Sequence, residues 1–280
     1  AVVMNNRPGV SEKMGLGYEK LHALNPRLVY CAITGFGPDG PYAARPAYDN
    51  VGQTLSGWLS LYHDGDDPRV GGPAVSDGLT GVYACMGMLG ALFDRERTGI
   101  GRKVEVSMLE ATMAFGIEPI GQYLATGTAP TRYSRGAMSQ AFMLECKDGK
   151  RVGLHMSSPD KFWEGLTRAM ERPDLLQKYP DRASRIARYE EIGRDFAVVF
   201  RERTRDEWMK RLEENDVPFA PERKIPDLAD DEQIRHLNLF YEQEHPRYGK
   251  VKGMRRPVTY DGQREAKLRP PTDLGEHTRS

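Results

Sequence analysis

Short apolar runs alternate with helical patterns in the N-terminal part of the chain. Residues 1–4 and 27–34 are apolar runs of strand length, and a helical pattern over residues 11–24, capped by Ser11, separates them. Parallel strands need a crossover connection, which is usually a helix, so this spacing predicts a parallel βαβ unit. A loop rich in glycine and proline at residues 35–41 follows the second strand, at the edge where open α/β sheets bind ligands.

The middle of the chain continues this α/β pattern. A helix is predicted over residues 48–59, a polar loop over 62–70, a long helix from residue 77 to Gly99, and a third strand over 102–106. Ser107 and Glu110 have capping-box spacing, which predicts a helix over residues 108–126. A long loop of small and polar residues, 127–140, comes next, and loops of this length in compact domains are usually functional.

The pattern changes after residue 140. Two strands, 141–146 and 151–155, flank a turn and predict a hairpin, and charged amphipathic helices follow over 159–170, 185–203 and, behind the cap Thr204, 205–214. This block is typical of a smaller α+β domain. We therefore predict a large domain formed by residues 1–140 with 221–280, and a small domain formed by residues 141–220.

Composition narrows the function classes. The chain has 280 residues with 40 basic and 40 acidic side chains, so the net charge is zero and favours neither a nucleic-acid nor a membrane partner. No apolar run of transmembrane length is evident. The three cysteines and six histidines are scattered without metal-ligand spacing, so we expect no metal site and a reducing, cytoplasmic location. The chain begins without Met in an apolar run, which suggests part of a longer protein.

Asp77 is the strongest candidate for chemistry. It ends the small-residue run 71–76 and lies where a loop becomes a long helix, so a ligand could approach closely. The positive end of the helix dipole favours its ionised form at neutral pH, and the exposed backbone N–H groups nearby could stabilise an oxyanion. Asp77 is therefore a candidate nucleophile. The alternative is that it serves only as the helix N-cap, for which aspartate is a preferred residue.

Several segments, taken in order, resemble the family III CoA-transferases, a superfamily that also contains acyl-CoA racemases. The matching segments are residues 5–9, 16–18, 25–30, 35–41, 48–51, 76–77, 97–101, 104–108, 146–149 and 274–278. The resemblance implies a Rossmann-like parallel sheet in the large domain, a smaller α+β domain, and an interlocked homodimer of two ring-like chains. It also implies that a longer N-terminal segment precedes this chain in family members.

The resemblance assigns functions to particular residues. Asp77 matches the catalytic aspartate, which forms a covalent aspartyl intermediate while CoA passes from an acyl-CoA to a carboxylic acid, without a permanently bound cofactor. The CoA site carries over onto Asn5, Asn6, Arg7, Lys13, Ala47, Tyr48 and Asp49. Arg135, Gly136 and Gln140 match a loop that covers the active site. Arg132 and Arg135 are equally well interpreted as partners of an acceptor carboxylate or as surface charges.

Two alternatives remain open. The first is an acyl-CoA racemase, an enzyme of the same superfamily that uses a histidine immediately before the position of Asp49. This chain has Tyr48 there, and a tyrosine side chain has no basic nitrogen that could take a proton near neutral pH. Tyr48 therefore argues against racemisation. A truncated, non-catalytic CoA-binding protein is the other alternative. The sequence does not identify the acyl donor or acceptor, although the loops 62–70 and 127–140 are predicted to line the acyl pocket.

Overall fold

The computed structural model describes residues 1–62, 69–157, 160–264, 272–276 and 278. The predicted acyl-pocket loop 62–70 and the family segment 274–278 therefore lie partly outside the described residues. Two compact units are present: one contains residues 1–142, 155–160 and 175–192, and the other contains residues 143–154, 161–174 and 193–280. In this division residues 221–280 belong with the second unit, unlike in the predicted domains, and the predicted domain organisation stays a prediction.

The first unit is built on a three-stranded sheet of β1 (Val2–Met4), β2 (Tyr30–Thr34) and β3 (Lys103–Ser107), in that order. Both pairings are parallel, with Val3 opposite Cys31 and Cys31 opposite Val104. The predicted parallel βαβ unit is therefore confirmed. Cys31 is fully buried, as expected for a central parallel strand that is covered on both faces.

Helices connect these strands, but with more breaks than the sequence predicted. Between β1 and β2 the chain forms α1 (Val10–Lys13) and α2 (Tyr18–Leu24), so the single helix predicted over 11–24 is wrong. Gly15 and Gly17 interrupt it, and Gly15 has a left-handed φ of 75°. The N-cap of α1 is Gly9, not the predicted Ser11.

Two helices lie between β2 and β3. Helix α3 spans Asp49–Leu55 and is shorter than predicted, with a separate turn of 3₁₀-helix at Leu59–Leu61. Helix α4 spans Val75–Thr98 and ends at Gly99, where φ is 75°, as the sequence predicted. By length and composition alone, α4 could cross a membrane, which corrects the expectation that no segment reaches that length. Core helices of other proteins meet the same criterion, so this is weak evidence for a membrane.

After β3 the predicted helix over 108–126 is two helices. These are α5 (Met108–Phe115) and α6 (Ile117–Thr126), and they join at Gly116. The predicted N-cap Ser107 is confirmed, because the Glu110 N–H donates to Ser107 Oγ over 3.1 Å, but the reciprocal bond differs from that of a capping box: the Glu110 carboxylate accepts from the Ser107 hydroxyl over 2.6 Å. The predicted loop 127–140 contains a short helix, α7 (Ser134–Ser139).

A second sheet consists of β4 (Ala141–Glu145), β5 (Arg151–His155) and β6 (Phe219–Pro221), in that order. Strands β5 and β6 are antiparallel, so the segment that leaves the predicted small domain adds a strand to the hairpin. The helices of this half of the chain are α8 (Asp160–Ala169), α9 (Asp174–Lys178), α10 (Arg182–Ala187), α11 (Tyr189–Phe200), α12 (Arg205–Glu214) and α13 (Glu232–His236). The helix predicted over 185–203 is thus two helices, divided at Arg188. A 3₁₀-helix (Ile225–Asp230) precedes α13, and a hairpin of β7 (Phe240–His245) and β8 (Gly249–Met254) follows it.

Aromatic side chains form the core of the second unit. Phe200 and Trp208 stack with their ring centroids 4.3 Å apart, and Trp208 Nε1 donates to the Phe200 carbonyl oxygen over 2.8 Å. Burial of each such side chain contributes about 1.5–3 kcal/mol. The predicted cap of α12 is confirmed, because Thr204 and Glu207 form a reciprocal capping box.

Candidate active site

Asp77 is the third residue of α4, and its side chain is exposed. The N-cap position belongs to Ala74, which has no side chain that could accept a hydrogen bond. The interpretation of Asp77 as an N-cap is therefore wrong. The residues before the helix, Gly71 to Ala74, are small and exposed, so this side of the turn leaves room for a ligand to approach the Asp77 carboxylate.

Asp49, at the start of α3, supplies the missing cap from another helix. The Asp77 backbone N–H donates to Asp49 Oδ1 over 3.1 Å, and Gln53 Nε2 donates to Asp49 Oδ2 over 2.5 Å. Gln53 is buried and also donates to the Pro73 carbonyl oxygen over 3.2 Å. These hydrogen bonds connect the first turn of α3 with the first turn of α4 and with Pro73, the residue before the α4 N-cap. They fix the backbone of Asp77 and leave its carboxylate exposed.

Ser76 anchors the same turn from its buried side. Its Oγ lies 2.8 Å from Thr112 Oγ1 and 3.4 Å from the Met108 carbonyl oxygen, and both Ser76 and Thr112 are buried. Helix α3 can approach this turn only because residue 52 is glycine, since a Cβ there would collide with Ser76 Oγ. Asp77 is thus presented by a turn that is held on both sides.

The electrostatic environment of Asp77 works against its ionisation. Although Asp77 is exposed, partial desolvation by the neighbouring protein atoms raises the pKa of its carboxyl group, and the nearby Asp49 carboxylate raises this pKa further. This shift runs opposite to the effect of the helix N-terminus on which the sequence analysis relied. Two carboxylates therefore lie near two helix N-termini, and the charge of Asp49 acts on the Asp77 carboxyl group.

The other residues assigned to CoA lie on loops at the carboxyl ends of β1 and β2. Asn5, Asn6 and Arg7 follow β1, and Ala47 and Tyr48 precede α3. Arg7 Nη1 donates to the Ala44 carbonyl oxygen over 3.4 Å, so the two loops touch. The carboxyl ends of parallel strands share one edge of the sheet, which is where such folds bind ligands. These residues are therefore brought to one edge together, and their function in binding CoA stays a prediction.

Lys13 and the exposed Tyr48 extend this edge. Lys13 is the last residue of α1 and is exposed, and the Tyr48 side chain is 81% exposed at the N-cap position of α3. Asn6 Nδ2 donates to Ser11 Oγ over 3.4 Å, which ties the turn after β1 to the first helix. An exposed lysine and an exposed aromatic ring at one sheet edge suit a ligand that carries phosphate groups and a flat base.

The residues predicted to form a lid lie on a packed segment. A Cβ on Gly136 would lie 2.9 Å from the Tyr189 hydroxyl oxygen, and that hydroxyl donates to the Ala141 carbonyl oxygen over 2.5 Å. Gln140 is buried in a left-handed conformation with φ of 49°, and its Nε2 donates to the Ala137 carbonyl oxygen over 2.9 Å. Arg135 is exposed and pairs with Glu118 over 3.2 Å. A lid function for this segment stays a prediction.

Sequence reasoning missed Gln53, Ser76 and Thr112 as parts of the site. Gln53 had a usable signal, because residues four apart on a helix face the same side and Gln53 follows Asp49 by four. The contact between Ser76 and Thr112 joins residues far apart in sequence and has no local signature. Among the residues that the structure describes, no group of three or more His, Cys, Asp or Glu side chains could hold a metal ion.

Comparison with known proteins adds to this geometry. The family model of CoA-transferase family III matches residues 1–278. Succinyl-CoA:mesaconate CoA-transferase of Haloarcula marismortui is 34% identical over 252 residues, which cover 88% of this chain and 63% of that protein. Succinyl-CoA:glutarate CoA-transferase of Mus musculus is 29% identical over 283 residues, covering 99% of this chain and 64% of that protein. The chain thus spans less than two thirds of these transferases.

The fold of this chain is also similar to that of a solved structure. The crystal structure of a CaiB/BaiF family protein from Brucella suis superposes with a TM-score of 0.80 at 28% identity, covering 99% of this chain and 73% of that chain. The α/β fold with its parallel sheet is therefore shared over nearly the whole length described here.

Proposed function

The chain belongs to CoA-transferase family III, and from this premise we propose that it transfers CoA from an acyl-CoA thioester to a carboxylic acid through Asp77. The observation that supports this most directly is the exposed carboxylate of Asp77 on a helix turn held by Asp49 and Thr112. A nucleophile needs an accessible atom on a rigid support. The named relatives act on succinyl-CoA with mesaconate or glutarate, which are carboxylic acids of this class.

The reaction proceeds in four exchanges. An Asp77 oxygen attacks the thioester carbon, the C–S bond breaks, and CoA leaves as a thiolate while a mixed anhydride forms on Asp77. The thiolate then attacks the Asp77 carbonyl carbon and displaces the donor acid as a carboxylate, which leaves an aspartyl-CoA thioester. The acceptor carboxylate attacks this thioester and releases the thiolate again, with a second anhydride on Asp77. Attack of the thiolate on the acceptor carbonyl carbon forms the new acyl-CoA and frees the Asp77 carboxylate.

The geometry supports each exchange without a metal or nucleotide. Each step passes a negative charge from one leaving group to the next, so no net proton transfer is needed. The first N–H groups of an α-helix have no acceptors within the helix. Those of α4, apart from the Asp77 N–H that donates to Asp49, lie beside Asp77, where they can stabilise each oxyanion. Asn5, Asn6, Arg7, Lys13, Ala47, Tyr48 and Asp49 bind the CoA portion in this proposal. Racemisation is disfavoured because Tyr48 offers no basic nitrogen.

The test compares Asp77→Ala with a matched aspartate. Asp206 is also an exposed aspartate in the first turn of a helix, α12, so Asp206→Ala serves as the control. We expect Asp77→Ala to lose at least about a thousandfold in transfer rate, while Asp206→Ala stays unchanged and both variants keep the wild-type circular dichroism spectrum. With wild type and acyl-CoA, hydroxylamine should modify Asp77 and inactivate the enzyme. Transfer by Asp77→Ala at the wild-type rate would refute the assignment.

The second part of the proposal is a wrapped homodimer in the cytoplasm. Helix α4 supports association, because Val82, Met86, Leu89 and Phe93 form an apolar stripe at helical spacing and are each more than half exposed. We expect the melting temperature to rise with protein concentration and Leu89→Lys to shift sedimentation towards monomer. The control is Leu24→Lys, because Leu24 is 77% exposed on α2. Active wild-type monomers at every concentration would contradict the dimer.

A further inference from the structure

A buried glutamine, Gln53, lies one helical turn after Asp49 on α3 and is only 2% exposed. Residues four apart lie on the same face of a helix, so both side chains meet the N-terminus of α4. Glutamine is mostly exposed in folded proteins, and burial of its amide is costly unless the amide is hydrogen-bonded. The hydrogen bonds of Gln53 therefore indicate what this side chain holds in place.

The Gln53 amide nitrogen donates to two acceptors near Asp77. One is Asp49 Oδ2, at 2.5 Å, and the other is the Pro73 carbonyl oxygen, at 3.2 Å. A carbonyl oxygen can only accept, so the nitrogen of the amide and not its oxygen must face this pair. Pro73 precedes Ala74, the N-cap of α4. Gln53 is thus bonded both to the carboxylate that accepts the Asp77 N–H and to the loop from which α4 begins.

Asp49 depends on Gln53 for its orientation. Its Oδ1 accepts from the Asp77 N–H over 3.1 Å, while its Oδ2 accepts from Gln53. Asp49 is half-buried at the start of α3, so its side chain can also turn towards solvent. Without the bond to Oδ2 the carboxylate gains this freedom, and the Asp77 N–H loses its acceptor.

The same bond keeps a negative charge beside Asp77. Helix α3 packs against α4, α5 and the 3₁₀-helix Leu59–Leu61, which has no ionisable side chain. The acidic side chains in the first turns of α4 and α5 are Asp77 and Glu110, and Glu110 accepts from the Ser107 hydroxyl. Desolvation raises the pKa of Asp77, and the charge of Asp49 raises it further. Attack on a thioester removes the charge of Asp77, so the repulsion from Asp49 is relieved as the reaction proceeds.

From these contacts we infer that Gln53 is a positioning residue for CoA transfer, because it holds Asp49 in the orientation in which one carboxylate oxygen binds the Asp77 N–H. The inference rests on the proposed function, since that function makes Asp77 the nucleophile. Gln53 is buried beneath the turn and acts only through Asp49 and Pro73. A displacement of about 1 Å at a reacting group can cost about a hundredfold in rate, so loss of the Gln53 bonds should lower kcat.

The isosteric variant Gln53→Glu makes the contact with Asp49 dependent on pH. When the introduced carboxyl group is protonated, its O–H can donate to Asp49 Oδ2; when it is ionised, it has no donor and repels Asp49. Two carboxylates that share a site have one strongly raised pKa, and buried glutamates reach about 8–9. Relative to wild type at the same pH, kcat of Gln53→Glu should be within about threefold at about pH 6 and at least about tenfold lower at about pH 9.

Two further variants separate positioning from packing. Gln53→Met has nearly the same length but no donor, so its kcat should be at least about tenfold lower at every pH. Gln243→Glu makes the same replacement at a half-buried glutamine on β7 and should keep the wild-type pH profile. A wild-type rate in Gln53→Met would overturn the inference. It would also be overturned if Gln53→Glu lost the same factor as Gln53→Met at every pH, since glutamine would then serve only to fill its site.

The Asp77 amide resonance measures the hydrogen bond without any turnover. In the 280-residue chain labelled with ¹⁵N-aspartate, this resonance is the one that is missing from Asp77→Ala. The amide proton should move upfield at every pH in Gln53→Met. In Gln53→Glu it should move only as the introduced carboxyl group ionises, with the same midpoint as the loss of kcat, while the other aspartate resonances stay in place.

This measurement separates the inference from the proposed function. If Asp77→Ala is inactive but neither Gln53 variant moves the Asp77 resonance, the proposed function stands and the inference about Gln53 fails. If the resonance follows Gln53 but Asp77→Ala still transfers CoA, the proposed function fails, although Gln53 holds the turn.

Discussion

Replacement of Asp49 tests how the helix turn that carries Asp77 is held. Asp49 Oδ1 accepts a hydrogen bond from the Asp77 N–H over 3.1 Å. This is the bond that an N-cap side chain normally accepts, and Ala74 at the N-cap position has no polar side chain to accept it. Loss of a helix N-cap costs about 1 kcal/mol, within a range of roughly 0.5–2 kcal/mol. We therefore expect Asp49→Ala to lower the free energy of unfolding by about 1–2 kcal/mol.

The isosteric variant Asp49→Asn separates the cap from the charge. Its side-chain oxygen can still accept the Asp77 N–H, whereas its amide group cannot accept from Gln53, which keeps its bond to Pro73. We expect a loss of less than about 1 kcal/mol, since asparagine is as good a cap as aspartate. Both variants remove the negative charge beside Asp77, so both should lower the pKa of the Asp77 carboxyl group by similar amounts.

Two measurements follow these effects independently. Urea unfolding of wild type, Asp49→Ala and Asp49→Asn gives the stability differences, and a carbon-13 NMR titration of the Asp77 carboxyl gives its pKa. Asp206→Ala is the control, because Asp206 is also in a first helical turn but α12 has its own cap in Thr204. Equal stability of the alanine and asparagine variants would refute the capping function. An unchanged Asp77 pKa in both would refute the charge coupling.

Two further predictions concern the fold. Gly101→Ala places a Cβ against the Leu28 carbonyl group and should destabilise the chain by about 3 kcal/mol or more, whereas Gly121→Ala on α6 meets nothing within 4 Å and should stabilise it by about 1 kcal/mol, both measured by urea unfolding. Hydrogen bonds from Arg188 lower the pKa of Glu191 from 4.5 to about 2, so the stabilisation is present above pH 4.5 and lost as the pH falls to about 2. Glu191→Gln should therefore be less stable than wild type at neutral pH, and a difference that failed to shrink over this acidic range would contradict the pairing.

The strands and their pairing could be predicted because the signal was local. Apolar runs at residues 1–4 and 27–34 contain β1 and β2, and a helical pattern between them required a parallel crossover. The helix ends at Gly99 and Ser107 were also predictable, because a left-handed glycine and a serine N-cap act within one turn. These features depend on residues that are neighbours in sequence.

The helix breaks and the start of α4 could not be read from periodicity in the same way. Gly116 looks like a tolerated glycine inside a helix, yet α5 ends and α6 begins there, with ψ of 22° at Gly116. The cap of α4 comes from Asp49, which precedes Asp77 by 28 residues. Such contacts depend on the tertiary fold, and no local pattern records them.

The capping of α4 by Asp49 has a consequence for how this scaffold can diversify. The turn that presents Asp77 is fastened by Asp49 and Thr112, neither of which belongs to the segment between α3 and α4. That segment contains Trp58 and Tyr62, and it can change in length or sequence before Pro73, whose carbonyl oxygen accepts from Gln53, while the turn around Asp77 keeps its shape. On the function proposed above, changes in this segment can therefore alter which acid binds while the turn that carries Asp77 stays the same.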